Sequence, residues 1–224
     1  MGRAEGPAPA ALEVEALPPK QERLVRSAYK VMGEKGMNNL SLQDVADEAG
    51  VSKAILPYYF SSKENLMVTT MRWVLARVAQ RIREAMSRAE GAEEKVSAMM
   101  DAIFIDPASN RGFYLVFFDF LGHAARTDRF GDVGATFQEI VTGLYAEVVR
   151  LGREEGVFRV GDTREAATVV RALIDGLFIQ WVLERDWERT HARYRSLCER
   201  AVLSYLTSGD GCVDKQWSSR KDCA

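Results

Sequence analysis

From residue 20 onwards, apolar positions recur at three- and four-residue intervals, the spacing of one buried face of an α-helix. Leu24, Val25, Ala28, Val31 and Met32 predict a helix from about Lys20 to Lys35, ended by Gly36. Val45, Ala46 and Ala49 mark a short helix before Gly50. Leu66, Met67, Met71, Val74, Leu75, Val78 and Ile82 predict a long helix from Ser61 to about Ala89. Val96, Met99, Met100, Ile103 and Phe104 belong to the next, which stops before Pro107. An aromatic segment at 111–125 follows, and then helices over roughly Phe130–Glu155, Thr163–Arg185 and Trp187–Leu206. No strand-like alternation extends beyond a few residues and there is no internal repeat, so the pattern predicts an all-α chain. Residues 1–19, rich in Ala, Pro and Glu, read as a flexible arm, and 209–224 as a loose tail.

The densest punctuation lies between Leu40 and Leu66. Ser41 stands three residues before Asp44, a capping-type helix start. Gly50 sits where the chain must turn, and Ser52 opens a second short helix carrying Lys53, Ala54 and Ile55. Ser61-Ser62-Lys63-Glu64 reads as a further capping box. Two short helices joined by a tight glycine turn form a helix-turn-helix, whose second helix enters the DNA major groove.

Bulk properties narrow the possibilities. The 224 residues allow a sizeable core in one or two domains. The net charge of -2 supplies no global attraction for nucleic acid. Residues 20–66 hold seven basic groups against six acids, so DNA affinity depends on local placement and on two copies acting together. No apolar run approaches the ~20 residues that span a bilayer. No apolar signal core precedes Pro19. Cys198, Cys212 and Cys223 lack metal or CxxC spacing, which fits reduced thiols in a cytoplasmic protein. Only two histidines are present, with no metal spacing, nucleophile elbow or phosphate loop, so neither an enzyme, a metal site nor a cofactor is expected. His191, among Arg189, Arg193 and Arg195, reads as part of a solvated helix face.

At these residues the chain resembles the TetR family of bacterial repressors. The match runs through Val45-Ala46, Ala49-Gly50-Val51-Ser52-Lys53, Tyr58-Tyr59-Phe60 and Ser62-Lys63-Glu64-Asn65-Leu66, and covers roughly residues 20–70. Ala54-Ile55-Leu56-Pro57-Tyr58-Tyr59-Phe60, Thr70-Met71-Arg72 and Asp175–Trp181 are similar to the BetI-type subgroup. The resemblance implies a three-helix DNA-binding domain at 20–66 and a larger helical sensor and dimerisation domain at 67–208. It places DNA contacts at Ser41, Gln43, Ser52, Lys53, Ala54, Pro57, Tyr58 and Lys63. Two positions depart from the family pattern: Ala54-Ile55 replaces Gly-Thr, losing a hydroxyl, and Pro57 replaces a tyrosine. Pro57 disfavours helix at Leu56, so the recognition helix is expected to be very short.

Beyond about residue 75 the residues themselves carry the reading. The 163–185 helix has two adjacent apolar stripes, wider than one core needs, and Gly176 within it. This predicts that it pairs, with the last helix, against a second copy of the chain. The aromatic segment, together with residues on neighbouring helices, suggests a cavity. Its proposed lining is Met100, Phe104, Phe113, Phe117, Leu121, Tyr145, Phe178 and Trp181, suited to an apolar or cationic effector. Asp119 and His123 read as a solvated or capping pair, with polar anchors of that cavity as the alternative. The expected function is a dimeric repressor that binds a palindromic operator and is released by a small molecule. The alternative is a DNA-binding protein of the same fold that acts through a protein partner without an effector.

Overall fold

The structure is a computed structural model that describes residues 17–208. The expected tail, all but the last three residues of the expected arm, and Cys212 and Cys223 lie outside the described residues. Nine α-helices and one 3-10 turn account for the regular structure there, with no strand. They form two compact units, one of 17–81 with Ala108–Val141, the other of Ile82–Pro107 with 142–208.

The first unit begins with α1 (Pro19–Lys35), which carries Pro at its first position, where a missing N–H costs nothing. Then come α2 (Leu42–Ala49), a 3-10 turn (Lys53–Ile55), α3 (Leu56–Tyr59) and the start of α4 (Lys63–Ser87). Leu24, Val25, Met32, Val45, Leu56 and Leu66 are buried here, as the helical spacing of most of them predicts. The Ser62 hydroxyl accepts from Asn65 N at 3.0 Å, so α4 starts at Lys63 under a simple serine cap rather than a Ser61–Glu64 box. The unit is completed by α6 (Pro107–Ala124) and the first half of α7 (Asp128–Glu154). Their rings interlock: Phe117 lies 6.1 Å from Phe120 and 6.0 Å from Phe137.

The second unit holds the end of α4, α5 (Ala92–Ile103), the rest of α7, α8 (Thr163–Val182) and α9 (Trp187–Ser208). Asp162 caps α8 by accepting from Arg164 N and Glu165 N at 2.9 and 2.8 Å. Arg195 ties α9 to α5 by donating to Asp101 at 2.7 Å. Cys198 is buried, and burial pushes its thiol up to about 12, which keeps it protonated and unreactive. His191 corrects the sequence reading: it is buried against Phe104 and Trp181, with ring centroids 5.5 and 5.0 Å away. Helical spacing puts it on one face with the buried Tyr194 and Cys198, while Arg189 and Arg193 fall on the exposed face.

Gly152 on α7 is a point of close approach. A Cβ there would overlap the ring of Phe158, whose N–H donates to the Gly152 carbonyl at 2.9 Å. Phe158 is itself buried, so the ring cannot swing out freely into solvent. Gly152→Ala is therefore expected to cost about 1–3 kcal/mol, as overpacking does, measurable by urea denaturation at fixed protein concentration.

Burial lowers the His191 pKa, partly offset by Asp106. The unfolded chain then binds a proton more readily than the folded one, so this histidine's contribution is complete above its unfolded pKa and declines as pH falls through it. Between about pH 8 and about pH 5, wild type should lose more stability than His191→Phe. Equal losses in paired denaturation curves would assign the acid sensitivity elsewhere.

Candidate nucleic-acid interface

The helix-turn-helix is built from local hydrogen bonds. The Ser41 hydroxyl accepts from Asp44 N at 3.1 Å, and the Asp44 carboxylate accepts from Ser41 N at 3.2 Å, a reciprocal box at the start of α2. The carboxylate also takes Lys35 Nζ at 2.7 Å; that bond, then Ser41, holds it below the usual aspartate range. At the other end, Gly50 adopts φ 62°, ψ 41°, a left-handed conformation in which a Cβ is strained. Val51 N donates back to Ala46 O at 3.0 Å, closing the helix and redirecting the chain.

Beyond the turn, the Ser52 hydroxyl accepts from Ala54 N at 3.4 Å and its carbonyl accepts from Ile55 N at 3.0 Å. The recognition element is thus one 3-10 turn running into a single turn of α-helix, as short as Pro57 leads one to expect. Leu56 is nevertheless helical, at φ -59°, ψ -44°, despite preceding a proline. Two features permit this. Pro57 occupies the first turn of α3, where its missing N–H has no intrahelical partner to lose, and the Leu56 side chain, 1% exposed, anchors the segment in the core.

Ser41, Gln43, Ser52, Lys53, Ala54, Pro57 and Tyr58 are all exposed, and Lys63 is half-buried. Tyr58 is 84% exposed, its ring edge-on to Tyr59 at 4.9 Å. Several of the polar groups already have work within the fold. Gln43 Nε2 donates to Asp47 at 2.8 Å, and Lys63 Nζ donates to the Asn38 carbonyl at 3.2 Å. Neighbouring cations are paired too: Arg26 with Glu22 at 2.8 Å, Lys30 with Glu48 at 2.8 Å. The Lys53 ammonium differs, with no ion pair or hydrogen bond to any described residue.

Asp119 and His123, on α6, reach this same unit. Asp119 accepts from Met37 N at 2.9 Å, and His123 Nε2 lies 3.1 Å from Asn38 Oδ1. Both therefore hold the α1–α2 turn, a role that spacing alone did not reveal. The available signal was a lone carboxylate among Phe117, Phe118 and Phe120.

The proposed cavity residues fall into both units. In the second, Met100, Phe104, Tyr145, Phe178 and Trp181 are buried, with Phe104 stacked on Phe178 at 4.3 Å and Trp181 edge-on to Phe178 at 5.7 Å. In the first, Phe117 is buried, Phe113 is half-buried and stacked on it at 5.5 Å, and Leu121 is 45% exposed. No cluster of three or more metal-ligating side chains occurs among the described residues. No helix there is long and apolar enough to cross a membrane.

A family model described as bacterial regulatory proteins, tetR family, matches residues 24–69. A second, described as the C-terminal part of BetI-type transcriptional repressors, matches residues 92–207. The chain belongs to the TetR family. It is a BetI-like, DNA-binding transcriptional regulator, and the proteins it matches are regulators rather than enzymes. The HTH-type transcriptional regulator BetI of Agrobacterium fabrum is 29% identical over 164 residues, spanning 73% of this chain and 77% of that protein. Its counterpart in Brucella canis is 26% identical over 174 residues, spanning 78% and 85%. A transcriptional regulator from Saccharomonospora viridis, solved in complex with choline, shares the TetR fold with a TM-score of 0.74 and 23% identity, over 81% of this chain and 94% of that one.

The Asp119 contact can be tested directly. Asp119→Ala leaves the N–H of buried Met37 without its acceptor and should cost about 1–3 kcal/mol. Asp119→Asn, which keeps an acceptor oxygen, should cost less. Equal melting temperatures for wild type and Asp119→Ala would show that the bond contributes nothing to folding.

Proposed function

We propose that this TetR-family regulator is a homodimeric, cytoplasmic repressor that binds a palindromic operator and is released by a small-molecule effector. The observation that carries the DNA reading is Lys53: an exposed cation at the head of the recognition turn whose ammonium pairs with no described residue, whereas Arg26, Lys30 and Lys35 on α1 are each held by a carboxylate. It suits a guanine edge or a phosphate. Ser41, Gln43 and Ser52 border it, Ala54, Pro57 and Tyr58 complete the surface, and Lys63 opens the following helix. One copy presents few such groups, and non-specific affinity of order 10⁻⁴–10⁻⁶ M is typical of DNA-binding proteins. Two copies related by two-fold symmetry would read two half-sites.

The dimer reading is supported by the outer side of α8. Ile179 and Leu183 are 48% and 79% exposed, Val169 and Leu173 are half-buried, and nothing lies within 4 Å of where a Gly176 Cβ would be. No described residue of the same chain accounts for that glycine, whereas close approach of a second copy would. An effector acts by favouring the dimer state of lower operator affinity, by as much as its own affinities for the two states differ. The choline-bound Saccharomonospora viridis neighbour supports a small, cationic or apolar effector.

One observation favours a second reading, a regulator that works through a protein partner without an effector. Phe104 and Trp181 both pack directly on Phe178, so these rings satisfy part of one another's apolar surface without a ligand. Ligand screening by thermal shift separates the two readings.

The main test is selection of bound sites from a random duplex library, followed by comparison of wild type with Lys53→Ala. Palindromic sites should be enriched. Lys53→Ala should weaken specific binding by about 1–3 kcal/mol per half-site, while thermal stability stays within about 0.5 kcal/mol, as for other exposed substitutions. Unchanged binding by the variant would remove Lys53 from the readout, and failure to enrich any site would remove the repressor reading.

A further inference from the structure

The recognition turn is notable for the donors it lacks. Ser52 caps its own turn through its hydroxyl, accepting from Ala54 N. Ala54 and Pro57 have no polar side-chain atom. Lys53 is the one long donor in the 3-10 turn, and a single donor cannot distinguish a sequence of several base pairs.

What the turn does present is a branched hydrocarbon. Ile55 is 41% exposed, while the next residue, Leu56, is buried. The turn therefore places one aliphatic side chain in the core and directs its neighbour outward, between Lys53 and Tyr58. Ala54, also exposed, lies beside it. Ile55 and Ala54 are thus solvent-exposed hydrocarbons at the centre of a DNA-facing element.

The major groove offers one apolar feature to such a surface. Guanine, adenine and cytosine edges present donors and acceptors, whereas thymine presents a 5-methyl group. We infer that Ile55, supported by Ala54, reads the 5-methyl group of a thymine in each half-site of the operator. Sequence discrimination is then divided, with Lys53 supplying the polar contact and Ile55 the apolar one. The inference rests on the operator-binding reading above. A 5-methylcytosine would present the same methyl on a different base pair, and the experiment separates the two.

The full-length protein is used with an operator selected from the library. Each thymine is replaced in turn by deoxyuridine, symmetrically in both half-sites, and the Kd is measured at fixed salt for wild type and Ile55→Ala. Losing one methyl contact should weaken binding about fourfold per half-site, so on the order of tenfold for the pair. The expected result is one thymine position per half-site at which deoxyuridine weakens wild type by that amount and leaves Ile55→Ala unaffected. At that position, 5-methyl-deoxycytidine should bind better than deoxycytidine but less well than thymidine.

Deoxyuridine that is neutral at every position would overturn the inference while leaving the operator reading intact. A loss that persists in Ile55→Ala would overturn it as well, by placing the methyl against another side chain. Tighter binding of 5-methyl-deoxycytidine than of thymidine would assign the methyl to modified cytosine and overturn the thymine assignment. If no operator can be selected, the parent reading fails and this inference fails with it. Because Ile55 is exposed, Ile55→Ala should melt with wild type, which separates lost readout from lost fold.

Discussion

A three-residue 3-10 turn followed by one turn of α-helix has too few internal hydrogen bonds to hold its own shape in water. What fixes the recognition element is the burial of Leu56 among the side chains of the first unit. With that side chain anchored, Pro57 is restricted to φ near -65° on one side and Ser52 caps the turn on the other. The exposed residues between them, Lys53 to Ile55, then have little freedom left. A contact surface that is rigid before binding loses less entropy on binding. A longer helix would need no such anchor, but the proline excludes one.

The α1–α2 turn extends the same logic. Met37 is buried and its N–H is held by Asp119; Asn38 faces His123 with its side chain and Lys63 with its carbonyl. Residues from α6 and α4 thus converge on two consecutive positions a few residues before the α2 cap. A shift of α6 would have to break or carry these bonds, and α2 begins four residues further on. Such a junction couples the position of α6 to the orientation of the helix-turn-helix through named contacts, all within one unit.

Much of this was legible in the sequence because it is encoded locally. Ser41 and Asp44, Gly50, Ser52 and the spacing of Val45, Ala46 and Ala49 depend only on neighbours within a few positions, so pattern and position suffice to read them. Pro57 likewise announced a short recognition helix. Its effect on Leu56 did not follow, because the local preference against helix before proline was outweighed by burial, a tertiary term. His191 was misjudged for a related reason: its sequence neighbours are arginines, but its neighbours three and seven residues along the helix are Tyr194 and Cys198. The part played by Asp119 was hidden because its partner, Met37, stands 82 residues earlier in the chain. The aromatic segment was read as part of a cavity lining, but which rings share a core depends on how the helices are grouped, and the periodicity of one helix contains no such information.

Charge placement brings these points together. Glu22 and Glu48 each engage a cation on α1, and Asp44 engages Lys35 at its end, so three of the seven basic groups expected to favour DNA are neutralised within the fold. A surface of this kind contributes little long-range attraction, and salt screens exposed charges further. Discrimination must then come from short-range fit: a free lysine, a capped backbone turn and an outward hydrocarbon whose value depends on close contact. Short-range terms are lost with small displacements, which is why the rigidity supplied by Leu56 and the junction at Met37 and Asn38 matters more here than in a protein held to DNA by a broad basic face.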